Sequence, residues 1–309
     1  VADISIQLGE LKLKTPFIAA SGTFGYGSEY SPIVDLNNLG AVVTKSLSVL
    51  PREGNPPPRI WETAAGMLNA IGLENCGLES FIEGRVPDLE KLPTKVLVNV
   101  VGNSIEEYAA ICARLDSVAC VAGFEINISC PNVKHGCQFA SDPRDCERLM
   151  KALRPTTKKL LMAKLSPNVT DIAEIARAAA ASGADALSLI NTLLGIAVDV
   201  KTRGPRIANV TGGLSGPCIK PVALRCVYQA AKACPQIPIV GIGGIRTLED
   251  ALEFFIVGAS AVQIGTTNYF DPDLLNRLPR ELEAWCKNEH VSAIKELVGT
   301  FSERCRSHS

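Results

Sequence analysis

Short, nearly continuous apolar runs recur along the chain, each followed by a polar or glycine-containing cluster. They fall at 17–20, 41–47, 95–101, 123–129, 159–165, 186–191, 238–242 and 261–265. Between most of them the apolar positions shift to helical spacing, predicting helices over 104–115, 143–154, 170–182, 218–233, 247–257 and 273–288. Strands without polar alternation, separated by helices, are those of a parallel sheet covered on both faces. Eight such units predict a (β/α)8 TIM barrel, with a doubly wound open sheet as runner-up. Ahead of the first unit, Ile4, Ile6 and Leu8 alternate up to Gly9-Glu10, and Leu11 and Leu13 follow, which predicts an N-terminal hairpin. Helix starts are marked by Ser104, Thr170 and Thr247, each with acidic residues in the next positions. Two connections, 48–77 and 192–216, exceed ordinary turns and are expected as long loops on the catalytic face. No composition break divides the chain, so residues 1–298 are expected to form a single domain and 299–309 a disordered tail.

Lys and Arg number 31 against 32 for Asp and Glu. That balance argues against a nucleic-acid surface, which would need a basic excess. No apolar run reaches the ~18 residues of a membrane span, and the first residues carry no charged-then-apolar signal. A cytoplasmic location is therefore expected, without membrane attachment. The eleven cysteines contain no C-x-x-C pair, so a disulfide framework, a metal site or a cluster built by this chain is not expected. All but Cys130 are expected as small buried apolar side chains.

The chemistry collects where the strands end. The runs close on Ala20-Ser21, Lys45-Ser46, Asn99, Asn127, Lys164, Asn191-Thr192, Gly243-Gly244 and Gly265-Thr266. A lysine within a buried strand is costly unless it meets a charge or polar ligand. Few carboxylates stand at strand ends, so Lys45 and Lys164 are expected to face a ligand. Glycines after the seventh and eighth strands suit a phosphate held by backbone N–H groups. Asn69, Asn127, Asn132 and Asn191 each offer a donor and an acceptor, as a planar ring with alternating N–H and C=O groups requires. Cys130, among polar strand-end residues, could act as a nucleophile or a base. His135 is its only near histidine, and is expected to be an exposed loop residue.

Several motifs together resemble the dihydroorotate dehydrogenase family from about residue 4 to about residue 290. They are Asn127-Ile128-Ser129-Cys130-Pro131-Asn132-Val133-Lys134, Lys45-Ser46, Asn69-Ala70-Ile71-Gly72-Leu73, Ile190-Asn191-Thr192-Leu193-Leu194-Gly195, Gly212-Gly213-Leu214-Ser215-Gly216 and Gly241-Ile242-Gly243-Gly244. A cysteine where the membrane-bound class carries a serine resembles class 1, and the Asn-Thr-Leu-Leu-Gly segment resembles its NAD-linked B type more than its fumarate-linked A type. The resemblance implies FMN held by Ala20, Ser21, Lys45, Ser46, Asn99, Asn127, Lys164, Ile190, Gly216, Gly243, Gly244, Gly265 and Thr266. It implies dihydroorotate held by Lys45, Asn69, Ala70, Ile71, Gly72, Leu73, Asn127, Asn132, Asn191 and Thr192. Cys130 would be the base and Lys164 a stabiliser of negative charge on the reduced flavin. The loop 130–142 would cover the site; Cys137 and Ala140 depart from the glycines expected there. The chain has no second dinucleotide fingerprint and no cluster-binding cysteines. A B-type enzyme would therefore need a partner subunit carrying FAD and a [2Fe–2S] cluster, in a heterotetramer built on a homodimer. Rival readings are an A-type enzyme active alone, a barrel like the pyrimidine-reducing domain of dihydropyrimidine dehydrogenase, and a phosphate-binding barrel without chemistry.

Overall fold

A computed structural model gives the fold, and describes residues 2–129 and 139–303. Eight parallel strands close into a barrel in chain order: Phe17–Ala19, Ala41–Val43, Lys95–Val100, Val121–Asn127, Leu160–Leu165, Ala186–Leu189, Ile239–Ile242 and Ala261–Ile264. The eighth pairs back onto the first, through Val262 opposite Phe17. The expected barrel is the observed one, and each strand begins within two residues of its expected start.

Helices pack their apolar stripes against the outside of the barrel. In Ile105–Asp116 the buried residues Tyr108, Ile111, Cys112 and Leu115 recur at helical spacing, and the Ser104 side chain accepts from Glu107 N–H. Thr247 and Asp250 form a reciprocal capping box on Leu248–Ile256. The helix expected from Thr170 is instead capped by Asp171, whose carboxylate accepts from Ala173 N–H. Two short helices, Leu78–Gly84 and Val86–Leu89, fill the second βα unit, where no helix was expected. They are seven and four residues long, too short for a clear apolar period.

The N-terminal hairpin, Ile6–Leu8 with Leu11–Leu13, lies at the strand-start end of the barrel. Its Leu8 and Leu13 join the core, and Gly9 sits against Asp185, just ahead of the sixth strand. At the opposite end the two long connections are not plain loops. Ile60–Thr63 and Gly66–Asn69 from the first pair with Leu193–Ile196 and Thr211–Ser215 from the second. The result is a four-stranded antiparallel sheet standing above the strand ends. Its central contact joins residues about 145 apart in sequence, such as Asn69 opposite Gly213, so no local pattern announces it.

Residues 299–303 follow the surface: Gly299 and Phe301 N–H donate to the carbonyls of Phe255 and Ile256, and Glu303 pairs with Lys232 at 2.8 Å. The other residues of the expected tail, 304–309, lie outside the described residues. Among the described residues no helix is long and apolar enough to cross a membrane. No group of three or more His, Cys, Asp or Glu is placed among them to hold a metal ion.

Candidate active site

A cavity of about 590 Å³ opens at the carboxyl ends of the strands, beneath the antiparallel sheet. Its walls include Ala20 and Ser21 from the first strand end, Lys45 and Ser46 from the second, and Asn127 and Ser129 from the fourth. Lys164 rises from the fifth strand, and Ile190, Asn191 and Thr192 follow the sixth. Gly243-Gly244 and Gly265-Thr266 complete the ring, and Met67, Asn69, Ile71, Leu73 and Gly216 form the roof.

One end of the cavity is backbone-rich. Gly243 and Gly244 have φ of 134° and 75°, a region that side chains other than glycine enter at a cost. A Cβ on Gly244 would lie 3.0 Å from the Gly216 carbonyl oxygen and 2.8 Å from Lys220 Cβ. The chain thus brings bare backbone to the cavity wall. Thr266 Oγ1 donates to Ser215 Oγ at 2.8 Å and ties this end to the roof.

The other end carries charge and amides. Asn191 Nδ2 donates to Asn127 Oδ1 at 3.2 Å, and Asn127 Oδ1 also accepts from Ser129 N–H. Tyr108 OH donates to the Asn127 carbonyl at 2.7 Å, so the outer helix fixes this strand end. The buried Ser129 Oγ finds no hydrogen-bond partner among the described residues. Lys45 lies 3.6 Å from Glu74, which Arg59 also pairs with directly. The Arg59 hydrogen bond first, then the Lys45 charge, hold the Glu74 carboxyl below its usual range.

Beneath the cavity floor lies a buried carboxylate. Glu125 is fully buried and accepts four side-chain hydrogen bonds. Oε1 accepts from Asn99 Nδ2 at 2.7 Å and Lys164 Nζ at 3.1 Å; Oε2 accepts from Gln263 Nε2 at 2.7 Å and Ser188 Oγ at 3.1 Å. Asn99 in turn accepts from Ser46 Oγ at 2.7 Å. Lys164 faces the cavity, as expected, but the expectation that it would face a ligand instead of pairing with a core carboxylate is corrected: it is also ion-paired to Glu125 at its base. Lys45 also lines the cavity and has the partly exposed Glu74 of the long connection beside it.

Dihydroorotate dehydrogenase is the family whose model matches residues 4–285. The chain belongs to the dihydroorotate dehydrogenase family. It is 54% identical over 300 residues to the dihydroorotate dehydrogenase B (NAD+) catalytic subunit of Geobacter metallireducens, covering 97% of this chain and 98% of that one. The proteins of the same name from Geobacter sulfurreducens and Pelobacter propionicus are each 53% identical over the same shares. In fold the chain is similar to DHODH from Eimeria tenella, solved in complex with ferulenol. The TM-score is 0.78 at 23% identity, covering 96% of this chain and 88% of that one.

Most residues singled out in this dihydroorotate dehydrogenase chain meet at the one cavity. Asn99 does not line it but reaches it through Ser46. Of the segment 69–73, alternate residues Asn69, Ile71 and Leu73 line the cavity, whereas Ala70 and Gly72 do not. Cys130, Asn132, His135 and Cys137 lie outside the described residues. Among the other cysteines, Cys112, Cys146, Cys226, Cys234 and Cys286 are buried. Burial pushes the thiols of Cys112 and Cys146 up to about 12, so neither supplies a thiolate near neutral pH. Cys76 and Cys120 are half-buried and Cys218 is exposed, correcting the expectation that all of them would be buried.

Arg59, Glu74, Tyr269 and Glu125 were missed, and Ser129 and Ser215 were read only as parts of their motifs, without a site role. Strand parity was the signal available for Glu125: two residues before Asn127, it points to the same side of the strand. Arg59 and Glu74 had no such signal, because they stand in a long connection whose path depends on pairing with residues far along the chain.

Proposed function

We propose that this chain is the catalytic subunit of an NAD-linked dihydroorotate dehydrogenase. It oxidises (S)-dihydroorotate to orotate, a step in the de novo synthesis of UMP. The observation that carries this reading is the single cavity where two lysines, three asparagines and the glycine-rich ends of the seventh and eighth strands converge. The relatives' shared name favours the NAD-linked type over the fumarate-linked one.

The residues fit FMN in three respects. The glycine wall at Gly243-Gly244 and Gly265-Thr266 leaves room for a phosphate against backbone. Ile190, Ile219, Ile242 and Met67 give apolar surface for a planar ring. Lys164 and the unpartnered Ser129 Oγ offer donors at the polar end. When bound, FMN supplies the two-electron acceptor for the hydride leaving C6 of the substrate. Ala20, Ser21, Lys45, Ser46, Asn127, Ile190, Gly216 and the two glycine turns would hold it, with Asn99 supporting Ser46 from below.

The chain's own part is to bind, orient and deprotonate. Lys45 offers a cation to the substrate carboxylate. Asn69, Asn127, Asn132, Asn191 and Thr192 read the ring amides and fix its tilt. Cys130, as thiolate, takes the C5 proton. Lys164 offers its ammonium to the negative charge gathered by the reduced cofactor.

Electrons leave through a partner subunit that carries FAD and a [2Fe–2S] cluster, in a heterotetramer built on a dimer of this chain in the cytoplasm. The dimer is supported by an apolar surface at and beside the antiparallel sheet, where Ile60, Leu194, Ile196, Val198, Val200 and Val210 are exposed. Light scattering of the purified chain is expected to give twice the chain mass; a single-chain mass would remove the dimer.

Turnover with a dye acceptor tests the substrate. Dihydroorotate is expected to be oxidised and dihydrouracil to be inert. The reverse preference would replace this reading with that of a dihydropyrimidine-reducing barrel.

A further inference from the structure

We infer that Glu125 is a positioning residue that sets the reduction potential of the bound flavin by holding Lys164 and partly cancelling its charge. The inference rests on the FMN reading above.

Glu125 is the one carboxylate in the floor network, and it is wholly removed from water. An ionised carboxyl group buried alone would be prohibitively costly. Here its four acceptor positions meet four donors from four different strands: Asn99, Lys164, Ser188 and Gln263. A buried carboxylate held by four donors on four strands of a closed barrel is rigidly placed. Two of its members continue upward. Lys164 lines the cavity itself, and Asn99 holds Ser46, which lines it too. Displacing the Glu125 carboxylate would therefore move two cavity groups together.

The charge matters as much as the position. Lys164 Nζ is 3.1 Å from Glu125 Oε1, with the residue only 6% exposed. In this low-dielectric setting each charge is weakly screened. A reacting cofactor above Lys164 meets an ammonium whose field is reduced by the carboxylate behind it. Without Glu125 the same ammonium would favour the anionic, reduced flavin more strongly, and the potential would rise. A structural role alone predicts no such effect.

The test is the midpoint potential of FMN bound to the full chain, measured anaerobically for wild type, Glu125→Gln and Glu125→Asp. Gln keeps the shape and removes the charge. The buried Gln263 Oε1, which finds no partner among the described residues, can accept from the new amide if the Gln263 side chain turns over. Asp keeps the charge but draws it back from Lys164 by one methylene. Glu125→Gln is expected to increase the preference for reduced flavin about tenfold, a rise of about 30 mV. Glu125→Asp should shift it the same way by less. A wild-type potential in flavin-loaded Glu125→Gln overturns the inference. If that variant does not fold, Glu125→Asp decides, and an unchanged potential there overturns it as well. If neither folds, Glu125 serves stability alone and the inference falls. A wild-type chain that takes up no FMN would instead remove the functional reading on which this one depends.

Discussion

Lys164→Met separates the energetics of the floor from the chemistry above it. Methionine keeps the unbranched stem of lysine and its packing, and removes only the ammonium. The fully buried Glu125 then loses its one cationic partner and keeps three neutral donors: Asn99 at 2.7 Å, Gln263 at 2.7 Å and Ser188 at 3.1 Å. Breaking a buried pair by removing one member costs about 3–5 kcal/mol, because the other charge is left uncompensated. The three surviving hydrogen bonds place this site at the lower end, about 3 kcal/mol. For a domain of about 300 residues that lowers the unfolding midpoint by roughly 5 °C. The assay is thermal or urea unfolding of the flavin-free protein, followed by circular dichroism, so cofactor binding plays no part. The double variant Lys164→Met with Glu125→Gln removes both charges and is expected to recover at least half of the loss. A single variant as stable as wild type would refute the reasoning. So would a double variant less stable than the single one, since the cost would then lie in the lost lysine contacts and not in the stranded carboxylate.

Other outcomes follow from the cavity. Cys130→Ala is expected to reduce turnover by roughly 10²–10⁴, the usual contribution of a positioned base, while FMN stays bound; a loss of flavin would make Cys130 a binding residue. Gly244→Ala forces a side chain to φ 75° and against the Gly216 carbonyl, and should weaken FMN binding at least ~10-fold by fluorescence titration. Glu74 has a lowered pKa in the folded chain, first through its Arg59 hydrogen bond and then through Lys45. Its contribution to stability is therefore present above the unfolded-state carboxylate range and lost as pH falls through the lowered folded value. Melting curves between neutral pH and pH ~3 should show wild type losing stability more steeply than Glu74→Gln, and parallel curves would contradict the pairing.

The barrel was legible because its strands are buried on both faces, and burial writes itself as uninterrupted apolar residues. Helices of ten residues or more were legible for the related reason that one stripe faces those strands. The strand ends were legible too: polar residues placed directly after an apolar run, such as Asn127 or Asn191, have few places to go but the barrel mouth. Glu125 was not read, because a single acid inside Gly-Phe-Glu-Ile looks like noise in a strand until its four partners are known. These partners come from strands up to 138 residues away. The roof was missed for a similar reason. Ile60–Thr63 is short and lies in a proline- and glycine-rich connection, and Thr211–Ser215 is rich in glycine and becomes part of the roof by pairing with Gly66–Asn69 across a long stretch of chain. Asn99 marks a finer limit. Its position at a strand end was right, but only its hydrogen bonds reveal that it supports the floor instead of facing the cavity.

The most direct measurement is the visible spectrum of the FMN-loaded chain under anaerobic conditions, before and after dihydroorotate is added. The expected result is bleaching of the flavin band near ~450 nm with one orotate formed per flavin, slowed by about 10²–10⁴ in Cys130→Ala. A flavin that stays oxidised in the presence of dihydroorotate, in protein that has retained its FMN, would contradict the assignment.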